Sequence, residues 1–437
     1  MLQRIIAFVS TRFKDIALRR LTGNILALGL LQLVNIVIPF LTVPYLVRVI
    51  GVDLYGLYAF STAIIAYFLL LIDYGFNLSA TRQISVHRKS REELVKIFSA
   101  VLTLKVVFFI FGFLLLLVLM MFSSMISDYW SLYLLMYLSL LGQVVTPFWL
   151  FQGLEKIYVG TYLTLFSRGI FVLGIFYFVV SKSDFLLIPL ISGFGFLLSG
   201  LVSLIFVRVE YGFRFALQSF KVLKEQLKEG FSLFISNVSI SLYTLSSTLI
   251  LGIFSSNLIV GYYAGADKII QVLRALLSSF SQAIFPYWSK KLHEDFDVGF
   301  KYVVSSVYYI GAFTFILSCT VYLMSDNLVA IALGPEFEES AELVRILSFT
   351  PFFISLSNIF GVQLMLNMGL RREFAIIVTI TAFLGVVMSL SLVVKFQAVG
   401  ISWAVLFSEM FIAVLSFLAV WHKRKSIDDL SKVKGTV

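Results

Sequence analysis

Several ionisable residues of this 437-residue chain fall inside long apolar stretches, where charge is costly. The cations are Lys105, Arg168, Lys268 and Arg274, and the acids are Asp73, Asp267 and Glu409. Each cation costs about 2.5–3.5 kcal/mol at the centre of a membrane helix, and such residues mark substrate or ion paths. They are therefore candidates for a substrate path. The excess of one positive charge favours cargo with phosphate or carboxylate groups over cationic cargo.

Arg274 lies on a polar stripe of one predicted helix. Asp267, Gln271, Arg274 and Ser278 follow one another at spacings of 4, 3 and 4, which places them on one helical face. This stripe predicts a water-filled cavity, and interhelical hydrogen bonding is the alternative. Lys268 points about 100° away from the stripe and is a weaker candidate.

The embedded cations differ in their predicted depth within the membrane. Lys105 and Arg168 fall seven or eight residues into their predicted spans, roughly 10–12 Å from the membrane edge. Their long side chains are therefore expected to reach the headgroups by snorkelling. Arg274 falls near the middle of its span and cannot do so. For Asp73 and Glu409, a structural ion pair and a place on the path both stay open.

Two further stripes carry polar residues without charge. Gln32 and Asn35 precede Pro39 and Thr42 at spacings of 3, 4 and 3, and both are candidates for the path. The other stripe consists of Ser232, Ser236, Ser239, Tyr243 and Ser246. Serines of this kind typically join membrane helices by hydrogen bonds, which is the preferred interpretation here.

The composition indicates an integral membrane protein. Hydrophobic residues make up 60% of the chain and charged residues 13%, against about 25% charged in soluble domains. Cys319 is the only cysteine, so no intrachain disulfide can form. We find no P-loop for ATP hydrolysis. The sequence also predicts no metal site, no cofactor and no nucleic-acid partner.

Runs of about 20 apolar residues predict twelve transmembrane helices. They lie near 24–46, 56–76, 97–121, 131–151, 161–180, 185–207, 231–253, 259–286, 302–324, 344–368, 373–394 and 398–421. The apolar residues of segment 1–20 recur every three or four positions, which predicts an amphipathic helix on the membrane surface. Of the 34 basic residues, 26 fall on the side that holds the N-terminus, four on the other side and four within spans. Both termini are therefore predicted to be cytoplasmic.

A weak internal repeat predicts two six-helix lobes. Gly56-Leu57-Tyr58-Ala59 matches Gly261-Tyr262-Tyr263-Ala264 at an offset of 205, and Thr146-Pro147-Phe148 matches Thr350-Pro351-Phe352 at 204. A competing alignment places Gly153-Leu154 over Gly369-Leu370. The predicted division is a lobe at 1–207, a basic cytoplasmic linker at 208–230 and a second lobe at 231–437, with the substrate between the lobes.

The segment "TPFWLFQGLEK" ends the fourth predicted span. Pro147 should break the helix there, and Trp149 is expected near the membrane interface. The pattern of Pro147, Trp149, Gln152, Gly153 and Glu155 resembles the P-x-W-x-x-Q-G-x-E segment of Wzx-type O-antigen flippases. These belong to the polysaccharide transporter family within the multidrug/oligosaccharidyl-lipid/polysaccharide exporter superfamily. "TVPYLVRVIGVDLYGLYAF", "DYGFNLSATRQIS" and "LILGIFSSNLIVGYYAGADKI" are similar to other segments of that family.

The resemblance implies a non-enzymatic flippase of the bacterial cytoplasmic membrane. Its substrate would be an undecaprenyl-pyrophosphate-linked oligosaccharide, moved by alternating access through a central cationic cavity. Arg274 is the best match to the family's embedded basic residues, followed by Arg168 and Lys105. The resemblance does not decide whether transport is coupled to an ion gradient or whether the protein contacts the polysaccharide polymerase machinery. A multidrug or cation antiporter of the same superfamily is the alternative, with a membrane polymerase or ligase further behind.

Overall fold

The computed structural model describes the backbone of residues 2–434 and the side chains of residues 29–424, apart from positions 31, 36, 243, 244, 283 and 286. No strand occurs in the described part, which confirms the all-α class. The helices are α1 (Leu2–Asp73), α2 (Phe76–Val86), α3 (Arg91–Phe122), α4 (Ser124–Ser127), α5 (Trp130–Val145), α6 (Phe148–Gly153), α7 (Ile157–Phe178), α8 (Leu187–Tyr211), α9 (Phe220–Phe254), α10 (Asn257–Glu294), α11 (Phe296–Leu323), α12 (Ser325–Ala332), α13 (Ser340–Leu347), α14 (Thr350–Ser357) and α15 (Arg371–Lys434). A π-helix at Asn358–Met365 follows α14, and short 3₁₀ turns lie at Lys182–Leu186 and Pro335–Phe337.

The chain is a multi-pass membrane protein. Among the residues that the structure describes, eight helical stretches are long and apolar enough to cross a bilayer, or up to ten if each of two bent pairs is one span. Two of the eight, Gln32–Val86 and Arg371–Arg424, contain 55 and 54 residues. Each is long enough for two crossings of about 20 residues. Each is also interrupted between two predicted spans by a non-helical residue, Gly51 in the first and Gln397 in the second.

By their contacts, the residues form two compact units. The first comprises Met1–Thr42 and Ser61–Ile240, and the second comprises Val43–Phe60 and Ser241–Val437. Helix α9 begins inside the predicted linker 208–230 and continues to Phe254. The division into lobes at 1–207 and 231–437 stays a prediction. The backbone of residues 2–20 is helical, but its side chains lie outside those described, so the amphipathic surface helix also stays a prediction.

The P-x-W-x-x-Q-G-x-E segment builds the core of the first unit. Trp149 is only 2% exposed, and its ring packs at 6.2 Å from the ring of Phe98. Its expected depth near the membrane interface stays a prediction. Its carbonyl accepts a hydrogen bond of 3.1 Å from Thr81 Oγ1 on α2. A Cβ on Gly153 would lie 2.7 Å from Ile84. The small residue at position 153 therefore allows α2 to pack closely against α6.

Arg88 connects the polar end of the same segment to α2. Its Nη1 lies 2.8 Å from Glu155 Oε2, and its Nε donates to the carbonyl of Gly153 at 2.8 Å. Glu155 has a φ of 58°, in the left-handed region that non-glycine residues rarely adopt. The motif thus reverses the chain between α6 and α7 and fixes that turn to α2.

Lys105 forms a buried ion pair in the first unit. Its Nζ lies 2.8 Å from Asp73 Oδ1, and the lysine side chain is 3% exposed. Asn77 Nδ2 donates to the other Asp73 oxygen at 3.1 Å. The prediction that Lys105 snorkels to the headgroups is therefore wrong. A carboxylate within reach neutralises the ammonium inside the bundle, so the side chain need not extend to the surface.

The repeated glycines contact each other's helices in the second unit. A Cβ on Gly56 would overlap the carbonyl oxygen of Asn257, and a Cβ on Gly261 would overlap that of Val52. At the 205-residue offset, Val52 corresponds to Asn257 and Gly56 to Gly261. Gly56 thus contacts Asn257, the counterpart of Val52, and Gly261 contacts Val52, the counterpart of Asn257. An isologous contact about a two-fold axis gives this reciprocal pattern. This contact supports the internal repeat.

The two competing repeat registers differ by a local insertion. Thr-Pro-Phe stands where α6 begins and again where α14 begins. Pro147 precedes Gly153 by 6 positions, whereas Pro351 precedes Gly369 by 18. The additional residues lie in the stretch that contains the π-helix Asn358–Met365. The registers are therefore compatible, one before the insertion and one after it.

We expect Gly56→Ala to destabilise the protein by about 2 kcal/mol, because the methyl group would meet backbone that cannot move independently. Gly169→Ala is the matched control, since nothing lies within 4 Å of a Cβ at that position. Alanine should slightly stabilise the helix at Gly169. Thermal unfolding of the purified variants in detergent measures both, and equal melting temperatures would contradict the close contact.

Lys105→Met should lower the free energy of unfolding by about 3–5 kcal/mol, because it leaves the Asp73 carboxylate without its cation. Adding Asp73→Asn should recover much of that loss, since the remaining amide carries no charge. A double-mutant cycle of thermal unfolding gives the coupling. Strictly additive effects of the two substitutions would show that the pair contributes no coupling energy.

Candidate functional site

A polar cavity of about 320 Å³ lies within the second unit. It is lined by parts of α9, α10 and α15. The lining residues are Ser246, Ser247, Thr248, Tyr263, Asp267, Gln271, Arg274, Ala382, Gly385, Val386, Ser389, Ala404, Val405, Ser408 and Glu409. Every lining helix comes from a stretch predicted to span the membrane. Such a concentration of polar groups there indicates a water-accessible site.

Arg274 and Asp267 form an ion pair on α10 at one side of this cavity. Arg274 Nη1 lies 3.3 Å from Asp267 Oδ1, and the side chains are 27% and 19% exposed. Gln271, one turn from Asp267, donates from Nε2 to Asp267 Oδ2 at 2.7 Å. Arg274 Nη2 also donates to Thr350 Oγ1 at 3.4 Å. The structure thus brings three members of the predicted stripe to one cavity.

Lys268 extends the same network from outside the cavity. It is absent from the cavity lining, in agreement with its different direction on the helix. Its Nζ nevertheless donates to Gln271 Oε1 at 3.0 Å, across one helical turn. The amide of Gln271 therefore joins the lysine ammonium to the carboxylate of Asp267. The four side chains of Lys268, Gln271, Asp267 and Arg274 form one hydrogen-bonded chain along α10.

Glu409 and several hydroxyl groups complete the cavity wall. Glu409 comes from the second half of α15, and Ser389 and Ser408 come from its two halves. A Cβ on Gly385 would lie 2.5 Å from Ser408 Oγ. The two halves of α15 therefore approach closely here. The sequence analysis missed Ser389 and Ser408, although Ala382, Gly385 and Ser389 recur at the small-residue spacing typical of close helix contacts.

Other predicted path residues lie away from this cavity. Arg168 is partly buried on α7, its Nε is buried without a hydrogen-bond partner, and no carboxylate among the described side chains pairs with it. Gln32 is partly exposed and Asn35 is exposed on α1. Lys105 and Asp73 form the separate buried pair. Whether any of these residues meets a substrate stays a prediction.

Asp295, between α10 and α11, and Asp297, in the first turn of α11, have structural roles. Asp295 caps α11 by accepting a hydrogen bond of 3.0 Å from the backbone nitrogen of Val298. Asp297 pairs with Arg424 at 2.6 Å. Within the described residues, no group of three His, Cys, Asp or Glu side chains could hold a metal ion.

Comparison with known proteins gives matches along nearly the whole chain. A family model described as "Polysaccharide biosynthesis protein" matches residues 21–293. Two curated relatives are each named "Putative O-antigen transporter". The one from Escherichia coli (strain K12) is 31% identical over 420 residues, which covers 94% of this chain and 98% of that protein. The one from Shigella dysenteriae is 27% identical over 399 residues, covering 91% and 99%.

Solved structures show the same fold at low sequence identity. An inward-facing multidrug resistance MATE family transporter of the MOP superfamily superposes with a TM-score of 0.70 and 12% identity, covering 91% of this chain and 96% of that chain. The lipid II flippase MurJ in an inward closed conformation gives a TM-score of 0.64 and 14% identity, covering 91% and 87%. The family match covers more than half of the chain, and the Escherichia coli relative is matched over almost its full length. The chain therefore belongs to the polysaccharide biosynthesis protein family, which confirms the resemblance found in its sequence.

Proposed function

We propose that this protein is a flippase that moves undecaprenyl-pyrophosphate-linked oligosaccharide repeat units across the bacterial cytoplasmic membrane. The repeat unit would belong to O-antigen or a related surface polysaccharide. The observation that carries the proposal is the charged cavity around Arg274 inside a multi-pass helical unit. Family membership and the names of the two full-length relatives support it. Flipping makes and breaks no covalent bond, so the proposed activity is not enzymatic.

Twelve spans in two six-helix lobes with cytoplasmic termini are part of this proposal. In the described part of the chain, eight helical stretches are long and apolar enough to span a membrane, and two bent pairs raise the number to ten. Counting each of the two longest helices as two crossings gives twelve. An even number places both termini on one side of the membrane. The concentration of basic residues on that side supports a cytoplasmic location.

The cavity offers a specific way to hold a diphosphate group. An Arg guanidinium suits phosphate oxygens because its planar fork can donate two parallel hydrogen bonds. In the empty protein, Asp267 neutralises Arg274. A bound diphosphate would replace this carboxylate as the partner of the guanidinium, and the hydroxyl groups of the wall would bind sugar. The lipid chain would stay in the bilayer.

Energy supply and partners belong to the proposal as well. Alternating access through a central cavity between the lobes would carry the substrate from the inner to the outer leaflet. An ion gradient would drive the cycle, and the polymerase machinery would receive the product. The drug or cation antiporter is not favoured, because the relatives aligned over 98% and 99% of their length are named as O-antigen transporters.

Arg274→Ala should abolish surface polysaccharide while the protein inserts at near-normal levels. Loss of the guanidinium removes the proposed phosphate contact, whereas Asp267 keeps its hydrogen bond from Gln271. Arg274→Lys should recover part of the export, because the charge remains and only the fork geometry is lost. Complementation of a deletion strain, with immunoblotting for protein amount, measures both.

Lys301→Ala is the matched control for removal of one positive charge outside the cavity, since Lys301 is an exposed residue near the start of α11. Export should be unchanged in this variant. Normal polymer from a stably inserted Arg274→Ala protein would contradict the proposed role of Arg274. Degradation of that variant would instead indicate a structural ion pair.

The proposed topology places segment 208–229 inside the cell and segment 325–341 outside. In a Cys319→Ala background, a cysteine at Glu338 should react with a membrane-impermeant thiol reagent in intact cells. A cysteine at Ser219 should react only after the membrane is opened. Both positions are exposed in the structure, so access to the reagent depends on the side of the membrane. Labelling of Ser219→Cys in intact cells would contradict this topology, because it would place segment 208–229 outside the cell.

A further inference from the structure

Three arginines surround a second cavity, in the first unit. The cavity has a volume of about 500 Å³ and is lined by Arg91, Val95, Arg208, Gly212 and Arg214. This volume lies within the usual range of small-molecule sites, about 300–1,000 Å³. The cavity involves none of the residues discussed for transport. No carboxylate contributes to its wall.

The chain builds this cavity from three separate elements. Arg91 and Val95 occupy one face of the first turns of α3, and Arg208 lies in the last turn of α8. Gly212 ends α8 with a φ of 61°, and the extended segment after it turns back along α3. Phe213 is buried at 5% exposure. These contacts place Arg214 beside the two helix ends.

The position of the third element is fixed by hydrogen bonds. Arg91 Nη2 donates to the carbonyl of Gly212 at 2.9 Å. The backbone nitrogen of Ala216 donates to Ser99 Oγ at 3.2 Å. Residue 212 has a φ of 61°, in the left-handed region that favours glycine. The guanidinium of Arg91 is therefore held in place before any ligand binds.

The positive charge of the cavity is not neutralised by the protein. Arg91, Arg208 and Arg214 form no ion pair with any carboxylate among the described side chains. Glu93 pairs with Lys96, and Glu210 pairs with Lys156. Glu92 points about 100° away from Arg91 on α3 and does not line the cavity. Three like charges around one cavity favour an anionic ligand.

The location identifies the class of anion. The cavity lies where α3 begins, just before the predicted span 97–121, and where α8 ends, just after the predicted span 185–207. It is therefore at the boundary between the hydrocarbon region and water, at the level of lipid headgroups. Basic pockets between helices at this level bind phosphate headgroups, and Val95 supplies an apolar part of the wall. We infer that Arg91, Arg208 and Arg214 form a binding site for the phosphate headgroup of an anionic membrane phospholipid.

The site can be tested by native mass spectrometry of the full-length protein. Protein released from nanodiscs of mixed phosphatidylglycerol and phosphatidylcholine should retain one phosphatidylglycerol in preference to phosphatidylcholine. Arg208→Gln/Arg214→Gln should weaken retention by about fivefold for each arginine removed, which corresponds to about 1 kcal/mol each. Arg91 is left unchanged because it also binds the backbone of Gly212.

The control variant removes the same charge nearby. Lys221→Gln/Lys224→Gln changes two exposed residues at the start of α9 that do not line the cavity. It should retain phosphatidylglycerol like the wild type. Equal loss in both double variants would overturn the inference, because it would indicate diffuse surface charge. Unchanged retention in the arginine variant would overturn it as well.

A second arm separates phospholipid from the proposed transport substrate. Farnesyl diphosphate, added as a soluble polyprenyl diphosphate, should not displace phosphatidylglycerol at equal concentration. Displacement by the diphosphate, together with no preference for phosphatidylglycerol over phosphatidylcholine, would assign the site to the substrate and overturn the inference. Similar unfolding temperatures in phosphatidylcholine alone would show that the variants fold normally.

Discussion

A positive charge inside an apolar helical bundle is costly unless it is compensated where it lies, and this constraint explains the pairing of Lys105 and Arg274. Lys105 and Arg274 each meet one aspartate, at 2.8 Å and 3.3 Å. Lys105 is 3% exposed, whereas Arg274 is 27% exposed beside a polar cavity, and their aspartates are similarly exposed at 26% and 19%. The Lys105 pair joins two helices, α1 and α3, whereas the Arg274 pair lies within α10. Leaving one partner of a buried pair uncompensated costs about 3–5 kcal/mol, so the first pair can hold helices together, while the second can exchange its partner.

The backbone obeys a related rule, because hydrocarbon offers no partners for free N–H and C=O groups. The chain accordingly breaks its helices at few places. Gly51 and Gln397 interrupt the two longest helices between predicted spans. The turn after α6 is fixed by Arg88, which binds a backbone carbonyl and Glu155 together. The internal repeat is also recognised at helix ends, since matching Thr-Pro-Phe segments stand where α6 and α14 begin.

Much of the fold could be predicted because hydrophobic length and helical period are local properties. The stripe of Asp267, Gln271 and Arg274 followed from spacing alone, and its side chains do share one cavity. The destination of Lys105 could not be predicted in the same way. At its depth in the membrane, Lys105 could either reach the headgroups or pair with an acid. Which of the two occurs depends on the distance between Lys105 and Asp73, which lies on another helix. Ser389 and Ser408 were missed for the same reason, because a small polar residue reveals neither its neighbour helix nor a cavity.

The geometry of the Arg274 pair suits an exchange of partners within the proposed transport cycle. Asp267 and Arg274 lie on the same straight part of α10, Asn257–Gln282. Their separation is therefore kept when other helices move. Thr350 Oγ1, by contrast, reaches Arg274 from α14, so this weaker contact changes with helix packing. Asp267 thus stays within reach of Arg274 throughout the proposed cycle. A diphosphate brings more negative charge than one carboxylate and two oxygens for the guanidinium fork. Because the Arg274–Asp267 pair is partly hydrated, displacing it costs less than breaking a fully buried pair, and Asp267 remains close enough to restore the pair when the substrate leaves.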